Sequence, residues 1–266
     1  MAGGAGWLPL LAFLALTAAA CGDSSTGPES EVPLTVSATA SGQFAPASAG
    51  DTGTAGVDRS LRASPDVRAV VTSTDTAGNE LTLERAMVVI GAALLRPEGT
   101  DSCGAGGGCP QVAAGPFLLE VPLDGSVNTV GPVGRVPPDV YDAARFQLRL
   151  AQASDGAVVD SFPDLEGSSV LVQGSYNGSP FTFTFATESV VGLDLAPSLV
   201  VEERRAGVNV TIKAEVGEWF VTSEDMLMDP TSAAADAIAA SVLQSLTAYP
   251  DLDSDGSPDG TTPVGG

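Results

Sequence analysis

Short runs of alternating apolar and polar residues cover much of the chain from residue 67 onward and predict β-strands. The clearest run is 170–185, in which two strands flank Asn177-Gly178, a pair that favours a tight type I′ turn. A two-residue turn places Gly174 opposite Phe181 and puts every large apolar side chain except Leu171 on one face. We therefore predict a half-exposed β-hairpin in which Gly174 leaves room for the ring of Phe181.

Other runs share this period of two and predict further strands. They are Leu34 to Ala38, Phe117 to Leu123, Phe146 to Leu150, Leu199 to Val201 and Val208 to Ile212. Leu81 to Leu95 is a longer apolar run that could form a strand or a helix, and its β-branched residues Val88, Val89 and Ile90 favour a strand. Strands with a single apolar face need a second layer to cover it. The chain is therefore predicted to be mainly β, an antiparallel β-sandwich with Trp219 and Phe220 in its core.

Near the C-terminus the apolar period changes to about four, which is typical of a helix. Asp229 is a suitable cap and Pro230 suits the first helical position. The apolar stripe contains Ala234, Ile238, Val242 and Leu246, and Pro250 ends it. We predict one C-terminal α-helix that packs on the sandwich.

The same patterns divide the chain into four parts. Residues 1–20 read as a signal segment, and 21–66 as a tether with one early strand and a low-complexity loop. Residues 67–228 form the predicted β-sandwich domain, and 229–266 the helix and an acidic loop.

An apolar run from Leu8 to Ala20 ends immediately before Cys21. It is too short to span a bilayer, which needs about 20 residues. The run and its cysteine resemble the lipobox of bacterial lipoproteins, which implies cleavage before Cys21 and acylation of that residue, as by palmitate. The resemblance places the protein in the cell envelope, on the outer membrane or cell surface. Ordinary secretory cleavage that leaves Cys21 as a thiol is the alternative.

The composition excludes several classes of function. The formal net charge is −22 and there is no histidine, so Ser-His-Asp catalysis and histidine-ligated metal centres are ruled out. Lys213 is the single lysine and follows Ile212, which rules out a Walker A loop. So acidic a surface repels nucleic acid, and we expect no nucleic-acid partner.

Two further cysteines, Cys103 and Cys109, flank the flexible sequence Gly-Ala-Gly-Gly-Gly. In an oxidising compartment such a pair favours a structural disulfide. A redox-active or metal-binding pair is the alternative.

The predicted helix leads into an aspartate-rich stretch at 251–259. Its spacing resembles the first nine positions of an EF-hand-like calcium loop, with a glycine at the sixth position. The predicted ligands are Asp251, Asp253, Asp255, Asp259 and the carbonyl of Ser257. Because Thr262 stands where the bidentate Glu is usual, we expect weak, structural Ca²⁺ binding. A solvated acidic tail is the alternative.

The stretch from Phe117 to Asp255 also resembles secreted or lipid-anchored bacterial proteins of unknown function with a prealbumin-like β-sandwich. The resemblance is carried by Val136 to Tyr141, the 170–185 hairpin, Gly217 to Phe220 and the aspartate-rich end. It implies a fold and no catalytic residue.

The resulting prediction is a non-enzymatic envelope module, anchored to a membrane through lipid on Cys21, with an envelope protein or a glycan as its partner. The competing hypothesis is an exported glycan hydrolase, which needs two carboxylates about 5 to 10 Å apart. The available carboxylates are Asp160, Asp164, Glu166, Glu202 and Glu203.

Overall fold

A computed structural model describes residues 31–41, 70–100, 103, 109–232 and 235–259. Over the described residues the protein is mainly β, with 55% strand and 12% helix, which confirms the mainly β part of the predicted fold. The strands are β1 Val32–Ser41, β2 Val71–Thr74, β3 Glu80–Pro97, β4 Gln111–Val121, β5 Val127–Val136, β6 Asp139–Leu148, β7 Val170–Tyr176, β8 Ser179–Phe185, β9 Val190–Val201, β10 Val208–Glu215 and β11 Leu246–Pro250. The helices are α1 Ala157–Ser161 and α2 Ala235–Gln244.

The predicted sandwich is wrong, because the strands close into an eight-stranded β-barrel. The order β4-β5-β1-β10-β11-β9-β6-β3 is completed by direct pairing of β3 with β4. The sheet is also not purely antiparallel, since β1 runs parallel to β10 and β11 runs parallel to β9. A strand in a sandwich and a strand in a barrel both show one apolar face. The alternation in the sequence therefore could not distinguish them.

The barrel interior is filled by side chains. Alternate residues of β1, Leu34, Val36 and Ala38, point inward and are fully buried. Apolar side chains alone line a residual cavity of about 10 Å³, little more than the space for one water. An eight-stranded barrel can be packed solid or can hold one small ligand, and the side chains around this cavity leave no room for such a ligand.

The first part of β3 extends beyond the barrel and forms a small sheet of order β2-β3-β7-β8. The predicted register of the β7–β8 hairpin is confirmed, including the pair Gly174 and Phe181. Asn177 and Gly178 have φ of 50° and 75°, as a type I′ turn requires. The structure adds a second reason for Gly174. A Cβ there would lie 2.0 Å from the carbonyl oxygen of Thr82, so the glycine allows close approach of the β3 backbone.

One face of the hairpin is covered, and the other is covered only at Leu171, since Thr182 and Thr184 are exposed. On one face Phe181 and Phe183 pack edge-on against Phe220, with ring centroids 5.8 and 5.9 Å apart. On the other face Leu171 is buried in a second small core with Leu165 and its neighbours. The predicted half-exposed hairpin is therefore confirmed except at Leu171, where the 151–168 segment folds over it.

The predicted C-terminal helix is shorter than expected. Ile238 and Val242 of α2 are fully buried, as the apolar stripe predicts. The helix ends at Gln244, and the following residues form β11 between β10 and β9. The carboxylate of Asp229 accepts a hydrogen bond from the N–H of Thr231 and so belongs to a turn ahead of the helix. Of the helices in the described ranges, none is long and apolar enough to cross a membrane.

Candidate metal site on the outer wall of the barrel

The aspartate-rich loop follows β11 directly and begins with Asp251, which has no exposed surface. Its carboxylate accepts three hydrogen bonds. The donors are Oγ1 of Thr211 at 2.7 Å and the backbone N–H groups of Asp255 and Gly256, each at 3.0 Å. These bonds fix Asp251 against β10 and fold the loop around it.

Asp251 is the end of a row of polar side chains on the outer face of the barrel. Ser37 of β1 bonds to Thr129 of β5 and donates to Oδ1 of Asn209 at 3.0 Å. Asn209 in turn donates to the hydroxyl of Thr211 and to the backbone carbonyl of Asp251. Ser37, Asn209 and Thr211 alternate with core residues along their strands, yet they are buried on the outer face of the barrel.

The C-terminal loop crosses this face. The N–H of Asp251 donates to the carbonyl of Asn209 at 3.1 Å. Further along the loop, a Cβ on Gly256 would lie 2.7 Å from Cγ2 of Val127 in β5. Gly256 has φ of +84°, so both its conformation and its close approach favour glycine.

Three of the predicted ligands converge. Oxygen atoms of Asp251, Asp253 and Asp259 lie within 4.8 Å of one another. Asp259 is further held by the backbone N–H of Leu252, which donates to its carboxylate. Asp255 does not belong to this cluster, and its carboxylate accepts the N–H of Ser257 at 2.7 Å. The structure thus groups three of the five predicted residues.

The charges of this cluster favour a cation. Carboxylate oxygens within 4.8 Å of one another repel each other, and because Asp253 is exposed water weakens this repulsion to about 1 kcal/mol. Within the described residues, no lysine or arginine forms an ion pair with Asp251, Asp253 or Asp259. The cluster could hold a metal ion, and carboxylate oxygens are the ligands of hard divalent cations. A strand enters the loop where the EF-hand-like pattern predicted a helix.

Tyr249 couples the loop to β11. Its hydroxyl donates to the carbonyl of Gly256 at 2.5 Å. Burial, together with the charges of Asp251 and Asp255, raises the pKa of the Tyr249 hydroxyl above its usual range.

The remaining predicted site residues lie apart from this cluster. The sulfurs of Cys103 and Cys109 are 2.11 Å apart, a disulfide distance. Cys21 and the predicted signal segment lie outside the described residues, as does Thr262. The carboxylates proposed for the hydrolase are all exposed, namely Asp160, Asp164, Glu166, Glu202 and Glu203.

Asp75, which is not among the predicted site residues, is buried in the turn before β3. Its carboxylate accepts hydrogen bonds from Asn79 and from the N–H of Leu227 at 3.1 Å. The side chain of Asn79 is the main reason that the pKa of Asp75 lies below its usual range. The spacing Asp-x-x-x-Asn in a turn was the available signal, and the role of Asp75 is to join two distant segments.

Comparisons of the chain with protein-family models, curated proteins and solved structures find no match.

Proposed function

We propose that this protein is a non-enzymatic module of the bacterial cell envelope, tethered through lipid on Cys21 and carrying a weak Ca²⁺ site at Asp251, Asp253 and Asp259. The barrel is the rigid part of the module, and the ion orders the loop on its outer wall. The convergence of three carboxylates, one of them fully buried, carries the calcium part of this proposal.

The physical role of the ion follows from the hydrogen bonds of the loop. Asp251 is already held by Thr211 and two backbone N–H groups, so it is a preorganised ligand. Asp253 is exposed and its carboxylate accepts only a 3.3 Å bond from Asp255 among the described hydrogen bonds. Calcium would draw Asp253 and Asp259 onto Asp251 and offset their mutual repulsion. Because the site has few charged ligands, we expect it to bind calcium with a dissociation constant of roughly 10⁻⁴ to 10⁻³ M.

Calcium titration of the wild type and of Asp253→Asn tests the site. We expect millimolar calcium to raise the thermal unfolding midpoint of the wild type. Asp253→Asn should weaken calcium binding by roughly tenfold, because one charged ligand is lost. Asp236→Asn is the matched control, since Asp236 is exposed on α2 and the change in net charge is the same.

Asp255→Asn tests whether Asp255, a predicted ligand, lies outside the calcium site. Because the carboxylate of Asp255 is turned toward Ser257, this variant should bind calcium more tightly than Asp253→Asn does. Sodium chloride at matched ionic strength controls for general screening of the acidic surface. An unchanged wild-type midpoint in calcium, or an equal loss in Asp236→Asn, would overturn the calcium proposal.

The envelope location rests on the run before Cys21 and on the Cys103–Cys109 pair, which suits an oxidising compartment. Mass spectrometry of the N-terminal peptide from membranes should show Cys21 acylated. Cys21→Ser should move the protein from the membrane fraction to the soluble fraction, because the acyl chains supply the anchor. A Cys21 with a free thiol in the wild type would refute the lipid anchor.

A further inference from the structure

The outer edge of β8 is open. β8 is the terminal strand of the small sheet and pairs only with β7 among the described strands. In the confirmed register Ser179, Phe181 and Phe183 exchange hydrogen bonds with β7, so the backbone groups of Thr182 and Thr184 point outward. Among the described residues, those backbone groups have no hydrogen-bond partner.

This edge lacks the usual protection against strand pairing. In natural proteins, charged side chains, proline or a covering helix or loop prevent an edge strand from pairing with another chain. In β8 no residue is charged, although the chain has a net charge of −22. Pro180 removes one N–H at the hairpin end only, and Thr182 and Thr184 are exposed. Phe220 fixes the inner face through Phe181 and Phe183, so the edge is already rigid.

We propose that β8 is a self-association edge, and that its occupant is β8 of a second copy of this chain in antiparallel pairing. A two-fold axis through Phe183 places Thr182 of one copy opposite Thr184 of the other. Each of the two such pairs exchanges two backbone hydrogen bonds, and Phe183 faces its own symmetry mate. The open donors and acceptors of one edge thus satisfy those of the other.

The lack of charge on β8 allows a second copy to approach there despite the net charge of the protein. Two molecules of charge −22 repel, and they can approach with least repulsion where their surfaces are neutral. β8 is such a surface, and its threonines form favourable cross-strand pairs. The association should therefore strengthen with salt, which screens the repulsion. An attraction between opposite charges would weaken with salt instead.

Sedimentation velocity of the full chain at several concentrations and salt levels tests the proposal. Every sample carries Cys21→Ser, so that acylation does not contribute. The wild-type β8 should give a dimer whose population rises with salt. Thr182→Pro removes an outward N–H and should weaken the dimer by roughly thirtyfold, because two interchain hydrogen bonds are lost. Thr182→Val keeps the N–H and should dimerise normally.

A second variant tests the proposal independently in case Thr182→Pro does not fold. The double substitution Thr182→Lys and Thr184→Lys leaves the backbone intact, but it places like charges opposite each other and should abolish the dimer. Circular dichroism and thermal unfolding establish that each variant is folded. A wild type that stays monomeric at all salt levels, or a lysine variant that dimerises equally well, would overturn the proposal.

Discussion

Replacing Thr211 with valine tests whether the polar row on the barrel wall anchors the C-terminal loop. The Thr211 side chain has no exposed surface, and its hydroxyl donates to Oδ2 of Asp251 at 2.7 Å. It also accepts a 3.2 Å bond from Asn209. Valine has the same shape, so Thr211→Val removes these two bonds without creating a cavity.

The expected loss of stability follows from the partners that remain. A hydrogen bond to a carboxylate contributes about 1.5 to 3 kcal/mol, and a buried acceptor that loses its donor is costly. Asp251 keeps its two backbone donors, and Asn209 keeps the carbonyl of Asp251 at 2.9 Å. We therefore expect Thr211→Val to lower the free energy of unfolding by about 2 kcal/mol. For a chain of this size that corresponds to a midpoint lower by roughly 4 to 8 °C.

Urea unfolding in the presence of a chelator measures this difference without a contribution from calcium. Thr182→Val is the control, because Thr182 is exposed and surface changes stay within about 0.5 kcal/mol. The same Thr211→Val change in an Asp251→Asn background completes a double-mutant cycle. The reasoning is refuted if Thr211→Val is as stable as the control, or if its cost is the same with and without the Asp251 carboxylate.

Two further predictions concern the scaffold. Gly174→Ala should lower the free energy of unfolding by about 3 kcal/mol or more, since its Cβ would meet the Thr82 carbonyl. Gly192→Ala, with no atom within 4 Å of the added Cβ, should be near neutral, and equal stabilities in urea would contradict this account. Burial, Asp139 and Glu31 raise the pKa of Tyr141 to about 12, so its contribution to stability is complete below pH 10 and is lost toward pH 12. Unfolding midpoints between those pH values, compared with Tyr141→Phe, should converge as pH rises; parallel curves would refute this role.

The local sequence determined those features that depend on residues close together in the chain. The β7–β8 register follows from the period of two and from Asn177-Gly178, whose backbone takes the positive φ that a type I′ turn requires. The buried stripe of α2 follows in the same way from its helical period. The spacing of the aspartates also placed three carboxylates in one loop.

Only the tertiary structure decided which strands pair and what covers their outer faces. Leu246 to Pro250 continue the helical pattern, but hydrogen bonding to β10 makes them a barrel strand, and Thr247 and Tyr249 favour that conformation. Closure of the barrel depends on β3 pairing with β4 along one edge and β6 along the other. The burial of Thr211 and the grouping of Asp251 with Asp253 and Asp259 depend on the loop crossing the outer wall. Alternation specifies which face of a strand is apolar, whereas its neighbours are chosen by backbone hydrogen bonds between residues far apart in the chain.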